Sequence, residues 1–94
     1  MHARVVTGHY RPEKLNELDQ AADTFSSTRK SFPGYQHFIS LFNPQTDEYI
    51  QVMLFEGEEH VQSSHAEHRK AAESIKQHLK DEPITATYEV RHFE

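Results

Sequence analysis

The stretch Tyr49-Ile50-Gln51-Val52-Met53-Leu54-Phe55 decides the fold, because its large apolar side chains occupy both odd and even positions. Successive residues of a strand point to opposite faces of a sheet, so this pattern predicts a strand that is buried on both faces. The same pattern recurs at Val5-Val6, in Phe38-Ile39-Ser40-Leu41-Phe42 and over residues 84–93. Helices on one side alone would leave an apolar face larger than a monomer of this size normally exposes. We therefore predict a homodimer in which a second copy of the chain covers the open face of the sheet.

The segments around this strand indicate the element order β-α-β-β-α-β. Four segments are predicted as strands: residues 3–10, 35–42, 48–56 and 84–93. Apolar residues at helical spacing predict a first helix that begins near Pro12 and ends before Pro33, and a second helix from Gly57 to about Lys80. This order predicts a ferredoxin-like α+β sandwich, a four-stranded antiparallel sheet with both helices on one face. No linker or repeat divides residues 1–94, so we expect one domain, and two such sheets face to face would form a dimeric α+β barrel.

Charge and cysteine content exclude several classes of function. The chain has 10 basic and 15 acidic residues and a formal net charge of −5, which argues against nucleic acid and anionic membranes as partners. It has no cysteine, so disulfides, thiolate metal sites and cysteine nucleophiles are excluded. Because no apolar stretch has the length of a signal peptide or a membrane span, a cytoplasmic location is the expectation.

Two of the eight histidines fall on the apolar stripe of the second predicted helix. His65 and His68 are three residues apart, so their side chains lie on one helix face. Three interpretations remain open at this point. Both rings could line the interior with backbone or Tyr partners, or His68 could act as a base or hydrogen-bond donor for a substrate, since neutral His suits that task. In the third, the pair would bind a metal, and a third ligand would have to come from a strand, from His9 or His37.

Several strand residues have two interpretations, as packing residues or as contacts to a ligand. Candidate ligand contacts from the strands are His37, Tyr35, Phe55 and Tyr88. Their rings would suit an aromatic cavity, but they would equally suit a core or a dimer interface. Arg4 and Arg91 are expected on the outer strands, where they could pair with Glu89 or cap the mouth of a cavity.

Four segments together resemble one known family. They are Phe32-Pro33-Gly34-Tyr35 with the strand after it, the turn Asn43-Pro44-Gln45-Thr46, the segment Leu54-Phe55-Glu56, and Ala66-Glu67-His68-Arg69-Lys70-Ala71-Ala72. With these segments the chain resembles the antibiotic biosynthesis monooxygenase superfamily of dimeric α+β barrels over nearly its whole length. The resemblance implies oxidation of an aromatic or quinol-type small molecule by O₂ without a metal or flavin cofactor. It further implies that His68 is the catalytic base, with His65 and His37 beside it in the pocket.

One subgroup of this superfamily binds and degrades haem, and the chain shares part of its pattern. His78 falls near the position of the subgroup's haem-ligating His. His68 stands where that subgroup has a Trp, and Thr7 or a neighbour stands where it has an Asn. The resemblance therefore leaves an alternative from a different class, a non-catalytic dimer that binds a small molecule, or haem through His78.

Overall fold

The computed structural model describes residues 1–94 and contains four strands in one antiparallel sheet. The strands are β1 (His2–His9), β2 (Tyr35–Asn43), β3 (Glu48–Phe55) and β4 (Ile84–Glu89). Their order across the sheet is β2-β3-β1-β4, and every neighbouring pair is antiparallel. The predicted ferredoxin-like α+β fold, with its hairpin between the second and third strands, is confirmed.

Each of the two predicted helices is divided into two by a turn. The four helices are α1 (Leu15–Thr24), α2 (Ser26–Lys30), α3 (Glu58–Ser63) and α4 (His65–Ile75). The breaks fall at Phe25 and Ser64, whose ψ angles of −1° and −2° depart from the regular helical value. At Ser64 the side-chain hydroxyl donates to the carbonyl oxygen of Val61. It therefore competes with the backbone N–H groups that would donate to this carbonyl oxygen in a continuous helix. No helix is both long enough and apolar enough to cross a membrane.

The second helical region ends earlier than the sequence predicts. A short 3-10 turn, Lys76–His78, follows α4, and Leu79 is already extended. The physical reason is pairing with the first strand, because Leu79 bridges to Tyr10 and the Lys80 N–H donates to the His9 carbonyl oxygen. The prediction of helix as far as Lys80 is therefore wrong over its last residues.

The last strand is also shorter than predicted. β4 ends at Glu89, which pairs with His2 at the start of β1, so the residues after it have no partner strand. The Val90 N–H donates to the Met1 carbonyl oxygen, and the Phe93 ring lies 5.4 Å from the ring of His37 on β2. Because β2 and β4 are opposite edges of the sheet, the tail after β4 crosses from one edge to the other.

The helices pack on one face of the sheet, and their core contains two clusters of buried side chains. The larger cluster comprises Val6, Tyr10, Leu18, Tyr49 and Leu79. The smaller one comprises Met53, Phe55 and Val61, with Phe32, Tyr35 and Phe38 packed against it. These clusters hold α1, α3 and α4 over β1 and β3, the two central strands.

The opposite face of the sheet carries no helix, and we refer to it as the open face. The strand register places these side chains on it: Ala3, Val5, Ile39, Leu41, Ile50, Val52, Leu54, Ile84, Ala86 and Tyr88. Several of them are strongly exposed, with 50% of Leu41, 69% of Ile84 and 55% of Tyr88 accessible to solvent. The apolar character of both faces agrees with the sequence pattern, and the covering of this face by a second copy stays a prediction.

Candidate functional site

A cavity of about 200 Å³ lies between the helices and the sheet. Its apolar wall includes Leu18, Ala22, Phe25, Phe32, Phe38 and Met53. Its polar wall includes Arg4, Tyr49, Gln51, Glu67, His68 and Thr85. A mainly apolar and aromatic concavity with a few polar groups is typical of a small-molecule site. Pockets for drug-sized ligands begin at about 300 Å³, so this cavity suits a compact ligand.

His68 lines this cavity from α4. Burial, together with the nearby Arg4 and the neighbouring His65, lowers the pKa of His68 to about 4. The ring is therefore neutral at pH 7, and no hydrogen bond to the protein contributes to this shift. A neutral ring without protein partners can accept a proton or a hydrogen bond from a ligand.

Arg4 is another ionisable residue of the cavity wall, and its position differs from the one predicted. It lies on β1, a central strand, and is only 1% exposed. Its Nη2 donates to the Val61 carbonyl oxygen at 2.9 Å and to Ser64 Oγ at 2.7 Å. Burial lowers the pKa of Arg4 to about 10, so the guanidinium stays charged at neutral pH.

Of the two arginines that could pair with Glu89, only Arg91 does so. Arg4 does not pair with Glu89 on an outer strand, because its helix-facing side chain reaches the α3–α4 break instead. Arg91 does approach Glu89, with its Nη1 3.6 Å from a carboxylate oxygen, and both side chains are exposed. This exposed ion pair contributes little to stability.

His65 contacts Arg4 and does not line the cavity. Its Nδ1 lies 3.2 Å from Arg4 Nη2, the atom that also donates to Val61 and Ser64. Burial, followed by Arg4 and Arg69, lowers the pKa of His65. His65 is therefore placed to position Arg4, and it does not reach the cavity directly.

A second, more polar cleft adjoins the cavity between α4 and the start of β4. Its volume is about 390 Å³, and its walls include His65, Arg69, Lys76 and Glu82. The cleft and the cavity share four residues: His68, Ala72, Pro83 and Thr85. His68 therefore lies between a solvent-facing cleft and the apolar interior.

The other predicted ligand contacts lie outside the cavity. His37 and Tyr88 project from the open face, on the opposite side of the sheet. Tyr35 and Phe55 pack in the cluster around Val61, and the Phe55 ring lies beneath Arg4 with its centroid 5.7 Å from the guanidinium carbon. Of the predicted site residues, His68 alone is a wall residue of the cavity.

The structure does not bring together a third metal ligand beside His65 and His68. His9 contacts Asp81, with Nδ1 2.7 Å from the carboxylate, and His37 stacks on Phe93. No group of three or more His, Asp or Glu side chains is arranged to hold a metal ion.

The residues present do not fit haem ligated through His78. His78 lies on the 3-10 turn after α4 and lines neither the cavity nor the outer cleft. Its Nδ1 is buried without a partner. The cavity, at about 200 Å³, is also smaller than pockets for drug-sized ligands, whereas haem is a large macrocycle.

No protein-family model matches the chain, and no curated protein matches it in sequence. Solved structures do match it in fold. One is a protein of Nitrosomonas europaea provisionally named an antibiotic biosynthesis monooxygenase, with a TM-score of 0.80 and 10% identity, covering 98% of this chain and 100% of that one. Another is the ActVA-Orf6 monooxygenase of Streptomyces coelicolor in complex with nanaomycin D, with a TM-score of 0.80 and 13% identity, covering 99% and 89%. A third is Rv0793 of Mycobacterium tuberculosis, with a TM-score of 0.79 and 8% identity, covering 98% and 96%.

These matches establish the architecture of the chain. It has the fold of the antibiotic biosynthesis monooxygenase structures over nearly its full length, which confirms the resemblance at the level of fold. Fold alone does not determine reaction or substrate, so both have to be argued from the cavity.

Proposed function

We propose that this chain is a cofactor-independent, monooxygenase-like protein that oxidises an aromatic or quinol-type small molecule with O₂. The observation that carries the proposal is the position of the His68 ring, free of protein hydrogen bonds, in the wall of an aromatic cavity. The fold shared with structures named as monooxygenases supports it, and one of those structures is a complex with nanaomycin D.

The chemistry requires little from the protein beyond a base and a dry cavity. His68 takes a proton from an acidic C–H or O–H of the substrate. The substrate anion passes one electron to O₂, and the two radicals combine to form a C–O bond. Loss of water then converts a CH₂ group and O₂ into a C=O group and H₂O, so no external reductant is needed. The apolar wall, with Phe25, Phe32 and Phe38, would keep solvent away from the reactive intermediates.

We further propose that the working form is a homodimer joined through the open face. Leu41, Ile84 and Tyr88 are each at least half exposed on that face of the single chain. An apolar surface that spans all four strands is unfavourable in water, and a second copy of the same face is a complementary cover for it.

A non-catalytic binding protein is the second candidate, and the pKa of His68 favours it. A general base is most effective when its pKa lies near the operating pH, whereas the pKa of His68 is lowered to about 4. No second side chain hydrogen-bonds the ring to raise its basicity. In this case the same cavity would hold an aromatic ligand without turnover.

Oxygen uptake with a panel of anthrones and hydroquinones distinguishes the two candidates. We expect the wild-type chain to consume O₂ above the autoxidation rate, and His68→Ala to lower the enzymatic rate by about a hundredfold or more. His92→Ala, at an exposed position of the tail, is the matched control and should keep the rate. Saturable binding of these compounds without O₂ uptake would contradict the monooxygenase proposal and favour the binding protein.

A further inference from the structure

The cavity and the outer cleft meet at a gap between α4 and the start of β4. Of the four residues that line both spaces, His68 and Ala72 are one turn apart on α4. The other two are Pro83, which directly precedes β4, and Thr85, the second residue of that strand. Each side of the gap therefore contributes two residues to the walls of both spaces.

The side chains at this gap are small and leave it open to solvent. Thr85 pairs with Val6 of β1, which belongs to the core under the helices, so Thr85 is on the helix side of the sheet. Thr85 is nevertheless exposed, because α4 does not cover this part of β4. On the α4 side, Ala72 contributes only a methyl group to the two walls. Solvent therefore reaches the cavity wall between the helix and the strand.

Charged side chains occupy the other exposed rim of the cavity. Lys70 Nζ donates to a carboxylate oxygen of Glu67 at 3.1 Å, and both residues are exposed. The guanidinium carbon of Arg29 lies 3.9 Å from the centre of the Phe38 ring, and its Nη2 donates to the Ala22 carbonyl oxygen. Because these contacts hold long side chains at that rim, the gap at β4 is the less obstructed route into the cavity.

The outer cleft is polar and has no net charge. Its charged side chains are two cations, Arg69 and Lys76, and two anions, Glu73 and Glu82. Lys76 Nζ lies 2.8 Å from a carboxylate oxygen of Glu82. His65 adds no charge at pH 7, because burial lowers its pKa. Balanced charges give no preference for an ion, so the cleft suits a neutral group whose hydroxyls both donate and accept hydrogen bonds.

We propose that the ligand is an aromatic compound with an uncharged, hydroxylated substituent, such as a glycoside, and that its ring system occupies the cavity while the substituent lies in the outer cleft. The inference deepens the proposed function and rests on its assumption that this cavity holds the ligand. The link between ring system and substituent lies beside His68, which lines both spaces. At about 200 and 390 Å³, the two spaces together reach the size usual for a small-molecule site.

Calorimetric titration of the intact chain with 2-naphthol and 2-naphthyl β-D-glucoside tests the proposal. We expect the wild-type chain to bind the glucoside at least as tightly as 2-naphthol. Thr85→Trp places a large ring at the gap and should weaken binding of the glucoside about tenfold more than binding of 2-naphthol. Thr87→Trp is the matched control, since Thr87 is exposed on the same side of β4 but lines neither space, and it should keep the wild-type ratio of affinities.

The wild-type chain alone keeps the test decisive if Thr85→Trp does not fold. A wild-type affinity for the glucoside about tenfold or more below that for 2-naphthol, or no saturable binding of either, would overturn the proposal. So would a folded Thr85→Trp variant with the wild-type ratio of affinities.

A charged analogue tests whether the substituent is neutral. 2-Naphthyl β-D-glucuronide carries a carboxylate on a sugar of the same shape, and we expect its affinity to lie within about threefold of that of the glucoside at pH 7. A preference of about tenfold or more for the glucuronide would contradict a neutral substituent. The oxygen-uptake assay is independent of these titrations, since glucoside binding as expected without O₂ uptake from anthrones or hydroquinones would overturn the monooxygenase proposal alone. O₂ uptake without the expected glucoside binding would overturn this inference alone.

Discussion

At the scale of single residues, the two central side chains are His68, which lines the cavity, and Arg4, which is buried on β1 and held at the break between α3 and α4. The position of His68 was predictable, because a polar residue on an otherwise apolar helix stripe has to face either the core or a cavity. The role of Arg4 was missed, although a charged residue beside Val5-Val6 in a central strand was a signal. Its partners, Val61 and Ser64, are far away in sequence, and their position depends on where the second helix breaks.

The low pKa of His68 predicts a stability that depends on pH. The pKa is about 4 in the folded chain and close to 6.5 in the unfolded chain. Between these values the unfolded chain binds the proton and the folded chain does not, so the free energy of unfolding falls as the pH falls. From pH 7 to pH 5 we expect a decrease on the order of 1 kcal/mol, reduced from the full shift because the ring is partly solvated.

Urea unfolding at pH 7 and pH 5 measures this effect. His65, whose pKa is also lowered, acts in the same direction, so His68→Leu should shrink the pH dependence without abolishing it. A wild-type urea midpoint that is the same at both pH values would contradict a buried, neutral His68.

At the scale of elements, the turn at Ser64 is the feature that assembles the site. The turn ends α3 and starts α4. It places the Ser64 hydroxyl and the Val61 carbonyl oxygen where both accept hydrogen bonds from Arg4. The sequence predicts the two helical regions but not their breaks, because the apolar spacing continues through Phe25 and Ser64 without interruption. By contrast, the Pro33-Gly34 stop was predictable, and Gly34 has a φ of 77°, which favours glycine.

Removing the Ser64 hydroxyl should destabilise the fold. Ser64→Ala leaves Arg4 with one acceptor fewer in a buried place, and hydrogen bonds to charged groups contribute about 1.5–3 kcal/mol. Ser63→Ala is the matched control, since its exposed hydroxyl only donates to the His60 carbonyl oxygen. Urea unfolding at pH 7 compares the two, and an equal loss of stability in both variants would argue against a special role for the Arg4–Ser64 contact.

At the scale of the whole molecule, the sheet has two apolar faces and the helices cover one of them. This was predictable from the odd and even apolar positions of β2 and β3, because strand periodicity is local and strong. Which side chains line the cavity was less predictable from the sequence. His37 and Tyr88 carry suitable side chains, but the strand alternation places them on the open face. Tyr35 and Phe55 face the helices, but they pack in the cluster around Val61 instead of lining the cavity.

The open face predicts the assembly state in solution. We expect light scattering coupled to size exclusion to give twice the mass of the chain. Leu41→Lys, which places a charge among exposed apolar residues of this face, should shift the chain toward monomer. Gln62→Lys on the exposed surface of α3 should leave the dimer intact. A wild-type chain that stays monomeric at high micromolar concentration would contradict the homodimer.

The most direct test of the central claim is the fate of labelled oxygen. The wild-type chain is supplied with ¹⁸O₂ and an anthrone that it oxidises, and the product is analysed by mass spectrometry. We expect one labelled oxygen atom in the product, formed by the wild-type chain and not by His68→Ala. A product without label, or equal labelled product from His68→Ala, would contradict an oxygenation that depends on His68.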